Sequence, residues 1–198
     1  MDLTQLAQSS FTVLTRSGAT VVELNSHDGT NRLTKKCVIA LSAALQELVP
    51  VAKPLVITGN QRFFSAGADL SEIAALTGGS AFEFAKMGQA LMNAIDDFPA
   101  PVYAAISGYC MGGGLDLALA CRRRIASPHA VFGHRGAALG LITGWGGTQR
   151  LPRLIGKTRT LEILIAAEKI SASRALQLGL VDAIAENPVE EALRRLSH

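Results

Sequence analysis

The sequence predicts an α/β fold built from repeated strand–helix units wound as a right-handed superhelix. Three observations carry that expectation. Short apolar strand-like runs alternate with helical patterns along the chain. Two of those runs lead into glycine-rich turns, Ser65-Ala66-Gly67-Ala68-Asp69 and Met111-Gly112-Gly113-Gly114-Leu115-Asp116. Of the 198 residues 48% are hydrophobic and 19 are glycine, which suits a well-filled core crossed by many tight turns. A single domain over residues 1–198 is expected, since no linker or low-complexity tract divides the chain.

In chain order, residues 11–16 and 21–24 read as a hairpin around Ser17-Gly18. Thr34 caps a helix that carries Val38, Leu41, Leu45 and Leu48 on one face. Residues 55–58 form a strand before the first glycine turn, and a short helix follows over 69–76. Gly78-Gly79 breaks the pattern. A longer helix then carries Phe84, Met87, Leu91 and Ile95 and stops near Phe98-Pro99. Residues 102–106 are the next strand, leading through the triple glycine into a helix that ends at Ala120. Short strands are expected at 124–127 and 130–132. A flexible stretch, 133–147, precedes helices near 148–155 and 158–167. Ser171 caps a further helix that Gly179 stops, residues 180–184 form a strand, and Pro188 opens a helix over 189–196.

Composition excludes several classes of function. The net charge is only +3, and Arg122-Arg123-Arg124 is too short a run for a nucleic-acid footprint. It reads as a solvated or interface strand edge, with a mild attraction for anionic substrates. Cys37, Cys110 and Cys121 are widely spaced among apolar residues and read as reduced, buried thiols, with no disulfide frame and no metal site. Met1 to Ser10 has neither a basic start nor an apolar stretch, so no secretory signal is expected. Every apolar run stops short of a membrane span. A cytoplasmic protein without nucleic-acid or membrane partners follows.

The two glycine turns point to chemistry. Glycine lets a backbone approach a ligand closely, and a helix start leaves N–H groups without internal partners. Two such turns side by side can aim two amides at one oxygen, which is how an oxyanion hole is made. Two other glycine motifs fail on spacing. Gly156-Lys157-Thr158 would need glycine at position 151 for a phosphate-binding loop, and Leu151 stands there. Gly112-Gly113-Gly114 lacks the interval of a dinucleotide fingerprint.

Four segments in register resemble one family. They are Phe64-Ser65-Ala66-Gly67-Ala68-Asp69-Leu70, the stretch from Gly108 to Asp116, Gly146-Gly147-Thr148-Gln149-Arg150-Leu151-Pro152, and the stretch from Ala175 to Val181. Together they are similar to the crotonase superfamily of enoyl-CoA hydratases and isomerases, from about Thr12 to about Leu196. The resemblance implies a spiral of ββα units, trimers or pairs of trimers, and an acyl-CoA thioester as substrate. Coenzyme A would arrive as part of that substrate, with no separate cofactor. The N–H groups of Ala68 and Gly113 would hold the thioester oxygen, and the carbonyl of Ala66 would meet the adenine end of CoA. Gly67, Asp69 and Leu70 would belong to the same binding segment. Gly112 and Gly114 would let the chain pass close to the acyl group.

The resemblance also implies two catalytic carboxylates in hydratases. The first position is Asp116 here. The second falls on Gly136, and the further acid of dienoyl-CoA isomerases would fall on Gly144. Asp116 reads either as a general base or as an acid that complements a helix start, and the family position favours the base. His134 and Arg135 stand before the empty position and offer a substitute for the acid, as a proton donor or as a clamp on a carboxylate or phosphate. His134 is counted with the substrate-binding residues, although a lone loop histidine reads first as structural. Trp145 lines an acyl pocket or packs in the core or at a subunit contact. Asp69 and Glu72 complement a helix start, and Arg150 and Arg153 are surface charges or phosphate contacts. The chain also stops before the C-terminal helices that the family usually carries. The leading reading is an enoyl-CoA hydratase or isomerase. The alternatives are a malonyl-type acyl-CoA decarboxylase, which needs only the enolate site, and a CoA-binding protein without turnover.

Overall fold

The computed structural model describes residues 10–197. The segment read as free of a signal, Met1 to Ser10, lies outside them apart from Ser10. The chain opens with strands β1 (Phe11–Arg16) and β2 (Ala19–Leu24), paired antiparallel with Arg16 opposite Ala19. The two-residue loop between them, Ser17-Gly18, has φ of 48° and 80°. Positive φ at both positions is what a tight hairpin turn requires, and it matches the twist of the flanking strands. Strand β3 (Arg32–Leu33) leads to helix α1 (Lys35–Leu48), where the Thr34 hydroxyl accepts from the Cys37 N–H at 3.2 Å. The buried face of α1 is Cys37, Val38, Leu41 and Leu45, so the helical stripe read from the spacing holds.

From there one unit repeats. Strands β4 (Leu55–Thr58), β7 (Val102–Ile106) and β9 (Arg123–Ala126) lie parallel in a first sheet. Each turns into a strand of a second sheet: β5 (Phe63–Ser65), β8 (Tyr109–Met111) and β10 (Val131–Gly133), again parallel. Each then gives way to helix: α2 (Leu70–Ala74) and α3 (Gly78–Asp96) after the first pair, α4 (Gly113–Ala120) after the second, α5 (Gly147–Ile155) after the third. A two-residue strand β6 (Gly67–Ala68) pairs parallel with β3 between β5 and α2. This is the expected spiral of ββα units, closed by α6 (Lys157–Ala166), β11 (Ile170–Ser171), α7 (Ala172–Leu178), β12 (Ala183–Ile184) and α8 (Pro188–Leu196).

Burial explains why β4 and β7 are legible as continuous apolar runs. Helices α1 and α3 cover one face of the first sheet, where Val22, Leu55, Ile57, Leu91 and Ile95 join the main core. On the opposite face Val21, Val56, Ala105 and Ile125 meet Ala192 and Leu193 of α8. A parallel strand buried on both faces has no polar side to alternate with. Helix α4 runs through the centre, with every residue from Gly114 to Ala120 buried.

Three expectations need correction. Gly78 and Gly79 open α3 instead of breaking it. They are exposed first-turn positions, and the Thr77 N–H is satisfied by the Ser80 hydroxyl at 2.8 Å. The strand expected at 180–184 shrinks to Ala183–Ile184. The N–H groups of Leu180 and Val181 instead donate to the Ala175 carbonyl, closing α7 around Gly179 at φ 78°. Finally, Arg124 is not a solvated edge: it is 3% exposed. The three cysteines are buried and unpaired, and burial pushes the Cys37 and Cys121 thiols up to about 11 and about 12. No described helix is long and apolar enough to cross a membrane.

Candidate active site

The two glycine turns abut. Gly67 has φ 94° and Gly112 has φ 50° with ψ −121°, conformations that side chains resist. A Cβ on Gly67 would lie 3.0 Å from the Gly113 nitrogen, and a Cβ on Gly113 would lie 3.2 Å from the Ala68 nitrogen. Ser65 fixes the first turn by accepting from the Gly67 N–H at 3.1 Å and donating to the Asn31 carbonyl at 2.6 Å. Gly113 begins α4, so its N–H has no carbonyl one turn back to donate to.

Both turns open onto a cavity of about 550 Å³, of the size that holds a small ligand. Leu70, Ile73, Leu76 and Phe84 form one apolar wall, and Leu139, Leu141 and Ile142 form the other. Its polar side chains are few: Asp116, His134, Arg135 and Thr143.

Asp116 sits one turn into α4 and is 2% exposed. The Thr143 hydroxyl donates to its Oδ2 at 2.5 Å, and His134 Nε2 lies 3.2 Å from its Oδ1. That second contact is not aligned as a hydrogen bond, and neither atom has another partner. Strand register explains the meeting. Gly133 pairs with Met111, so the residue after Gly133 falls beside the start of α4. Gly147 closes the group from α5: a Cβ there would be 2.8 Å from Thr143 Cγ2 and 2.9 Å from His134 Nε2, and closer still to Asp116 Oδ1. Behind Asp116, burial holds the Cys110 thiol well above its usual range.

Of the residues singled out from the sequence, Ala66, Gly67, Ala68, Leu70, Gly112, Gly113, Asp116, His134 and Trp145 line this cavity. Two do not. Asp69 caps α2, accepting from the Ser71 and Glu72 N–H groups at 2.9 and 3.2 Å, and pairs with Arg32 at 3.1 Å. The Ser71 hydroxyl is the chief reason its carboxyl is lowered to about 2. Gly114 faces Ser65 instead of the cavity, where a Cβ would come within 2.7 Å of the serine Cβ. Trp145 is both wall and core: its Nε1 donates to the Phe84 carbonyl at 3.2 Å and its ring tilts against Phe84 at 5.2 Å. Arg150 ties α5 to α3 through Asn93 at 2.8 Å and Asp96 at 3.3 Å. Thr143 and Gly147 were missed as partners of Asp116, because nothing in their spacing relates them to it.

The sequence profile of the enoyl-CoA hydratase/isomerase family matches residues 15–198. The chain belongs to this family. It is 43% identical over 163 residues to the probable enoyl-CoA hydratase of Bacillus subtilis, covering 81% of this chain and 63% of that protein. It is 36% identical over 169 residues to the crotonyl-CoA hydratase of Syntrophomonas wolfei, covering 84% and 65%. The chain thus spans a little under two-thirds of each of these curated relatives. The crystal structure of an enoyl-CoA hydratase from Bacillus anthracis superposes with a TM-score of 0.90 at 33% identity, covering 96% of this chain and 76% of that one.

Position 136 is where the resemblance implied a second carboxylate, and glycine stands there. A Cβ on Gly136 would lie 2.7 Å from the Leu141 carbonyl oxygen. The 3₁₀ turn at Gly136–Leu139 is closed by the Leu141 N–H donating to the Gly136 carbonyl at 2.8 Å. The backbone itself fills the space that a side chain would need. Gly144 is different: a Cβ there would meet only Ala85, at 3.9 Å.

Proposed function

We propose that the chain performs hydratase/isomerase chemistry on acyl-CoA thioesters, most directly the syn addition of water to a 2-enoyl-CoA. The observation that carries this reading is one apolar-walled cavity that receives both glycine turns and the Asp116–His134 pair. The thioester oxygen accepts from the N–H groups of Ala68 and Gly113. As a water oxygen bonds to the β-carbon, the double-bond electrons move toward the thioester oxygen, and the enolate is then protonated at the α-carbon. A fixed donor aimed at growing charge is worth roughly 2.7–4 kcal/mol of barrier. The positive end of α4 adds to it. The Asp116 site supplies the proton transfer, and the carbonyl of Ala66 faces the adenine end of CoA. The names of the two curated relatives support the substrate class.

Loss of enone absorbance when purified protein meets crotonyl-CoA tests the reading. Turnover supports it. Release of carbon dioxide from methylmalonyl-CoA without hydration would replace it with a decarboxylase, and tight CoA binding with no reaction would replace it with a binding protein.

Gly147→Ala gives a second check. The new methyl group falls on Asp116 Oδ1 and His134 Nε2, so the pair must separate. Misplacing reacting groups by an ångström costs up to about 10²-fold in rate. The expected result is a kcat loss of that order with little change in KM. An unchanged kcat would mean that the pair does not serve the reaction.

A further inference from the structure

We propose that His134 carries the proton in this site and that Asp116 positions it, so that one imidazole both takes and returns the proton of the reaction. The inference rests on the acyl-CoA reading above and deepens it. The carboxylate is poorly placed to act directly. Asp116 is 2% exposed on a helix buried along its length, and its Oδ2 is taken by the Thr143 hydroxyl at 2.5 Å. Its Oδ1 faces only His134 Nε2, at 3.2 Å.

The imidazole is better placed. Like Asp116 it lines the cavity and is nearly buried, at 4% exposed, but among the described residues no hydrogen bond engages its other nitrogen, Nδ1. Nε2 faces a carboxylate oxygen at 3.2 Å, and a carboxylate accepts hydrogen bonds without donating them. That selects the tautomer with Nε2–H toward Oδ1 and leaves a lone pair on Nδ1. The same logic orders other acid–histidine pairs, in which the carboxylate fixes the tautomer and the ring moves the proton. The loose alignment of Nε2 and Oδ1 fits a pair that tightens when substrate binds. Apart from Asp116, Arg135 is the one charged side chain that shares the described cavity wall with the ring.

The step balances with a single base. Nδ1 takes a proton from water as the water oxygen bonds to the β-carbon. The π electron pair moves onto the thioester oxygen between the Ala68 and Gly113 amides. The imidazolium then returns its Nδ1 proton to the α-carbon, where the enolate pair forms the new C–H bond. One water has added, and oxygen and hydrogen arrive on one face. No second acid is required, so the crowded, side-chain-free position at Gly136 is no obstacle.

The test compares wild type, His134→Gln, His134→Ala and Asp116→Asn in two reactions. One is hydration of crotonyl-CoA. The other is exchange of the α-hydrogens of butyryl-CoA in heavy water, which needs enolate formation but no hydration. Acetyl-CoA affinity and a circular-dichroism melt certify that each variant is folded and binds. Expected are falls in both reactions of about 10²-fold or more for His134→Gln, with KM little changed. Added imidazole restores activity to His134→Ala and not to Asp116→Asn. A His134→Gln enzyme with wild-type rates beside an inactive Asp116→Asn would overturn the inference and make the carboxylate the base. Exchange that depends on His134 in a protein unable to hydrate would sink the hydratase reading and leave the inference standing. Absence of both reactions in wild type would remove both.

Discussion

On the acyl-CoA reading proposed above, Gly113→Ala is expected to lower kcat by about 10²–10³-fold, the loss associated with one donor of an oxyanion hole. The added methyl group has nowhere to go. It would sit 2.7 and 2.8 Å from two atoms of the Trp145 ring and 3.2 Å from the Ala68 nitrogen. Trp145 is 3% exposed and is held by its bond to the Phe84 carbonyl, so the ring cannot swing aside. The first turn of α4 must therefore withdraw from β6, and the two amides diverge.

Stability responds much less than activity. Alanine is the better helix former by up to about 1 kcal/mol, which offsets part of the roughly 1–3 kcal/mol that overpacking costs. Steady-state kinetics beside a thermal melt separate the two effects. A variant that keeps wild-type kcat would remove Gly113 from the reaction. One that simply fails to fold would show overpacking larger than this balance allows.

How far such a site can be read from sequence depends on how local its causes are. The strands 55–58 and 102–106 were legible to the residue because each is apolar on both faces and ends at a turn-former. Thr34, Ser171 and Gly179 announced helix ends because capping acts within a few residues. The glycine turns were legible for the same reason, since positive φ at Gly67 and Gly112 is a local demand. Gly78-Gly79 misled because glycine signals a break only where a helix must be stabilised from within, and here a cap does that work.

The Asp116–His134 pair was not legible. The two residues belong to successive turns of the spiral and meet only through the β8–β10 register. Thr143 and Gly147 arrive from the far end of a stretch that looked merely flexible. Arg124 was misread for a related reason. The sequence shows three consecutive arginines, and only the pairing of β9 with β12 and the end of α4 separates their fates.

That buried arginine gives the other large effect: Arg124→Met is expected to destabilise the protein by about 3 kcal/mol, the lower end for breaking a buried ion pair. Its Nε donates to the Leu180 carbonyl at 2.8 Å, and its Nη1 donates to the Cys121 carbonyl at 2.7 Å. Its Nη2 lies 3.3 Å from Asp182 Oδ2. The guanidinium thus places a cation at the C-terminal end of α4, where the helix dipole favours one, and ties that end to the loop before β12. Burial pushes its pKa down while Asp182 opposes the shift. Methionine fills much of the volume but leaves those carbonyls without their donor, while Asp182 Oδ2 keeps the backbone N–H of residue 124 at 2.8 Å. Arg123 still pairs with Asp182 at 2.6 Å, which keeps the cost from the upper end of the range. For a domain of this size about 3 kcal/mol lowers Tm by about 6–12 °C. A single variant that melts with wild type would mean that the carbonyls find water as readily as they find the guanidinium. Because α4 carries Gly113 and Asp116 at its other end, loosening its C-terminus should also lower kcat, by a smaller factor than the Gly113 substitution.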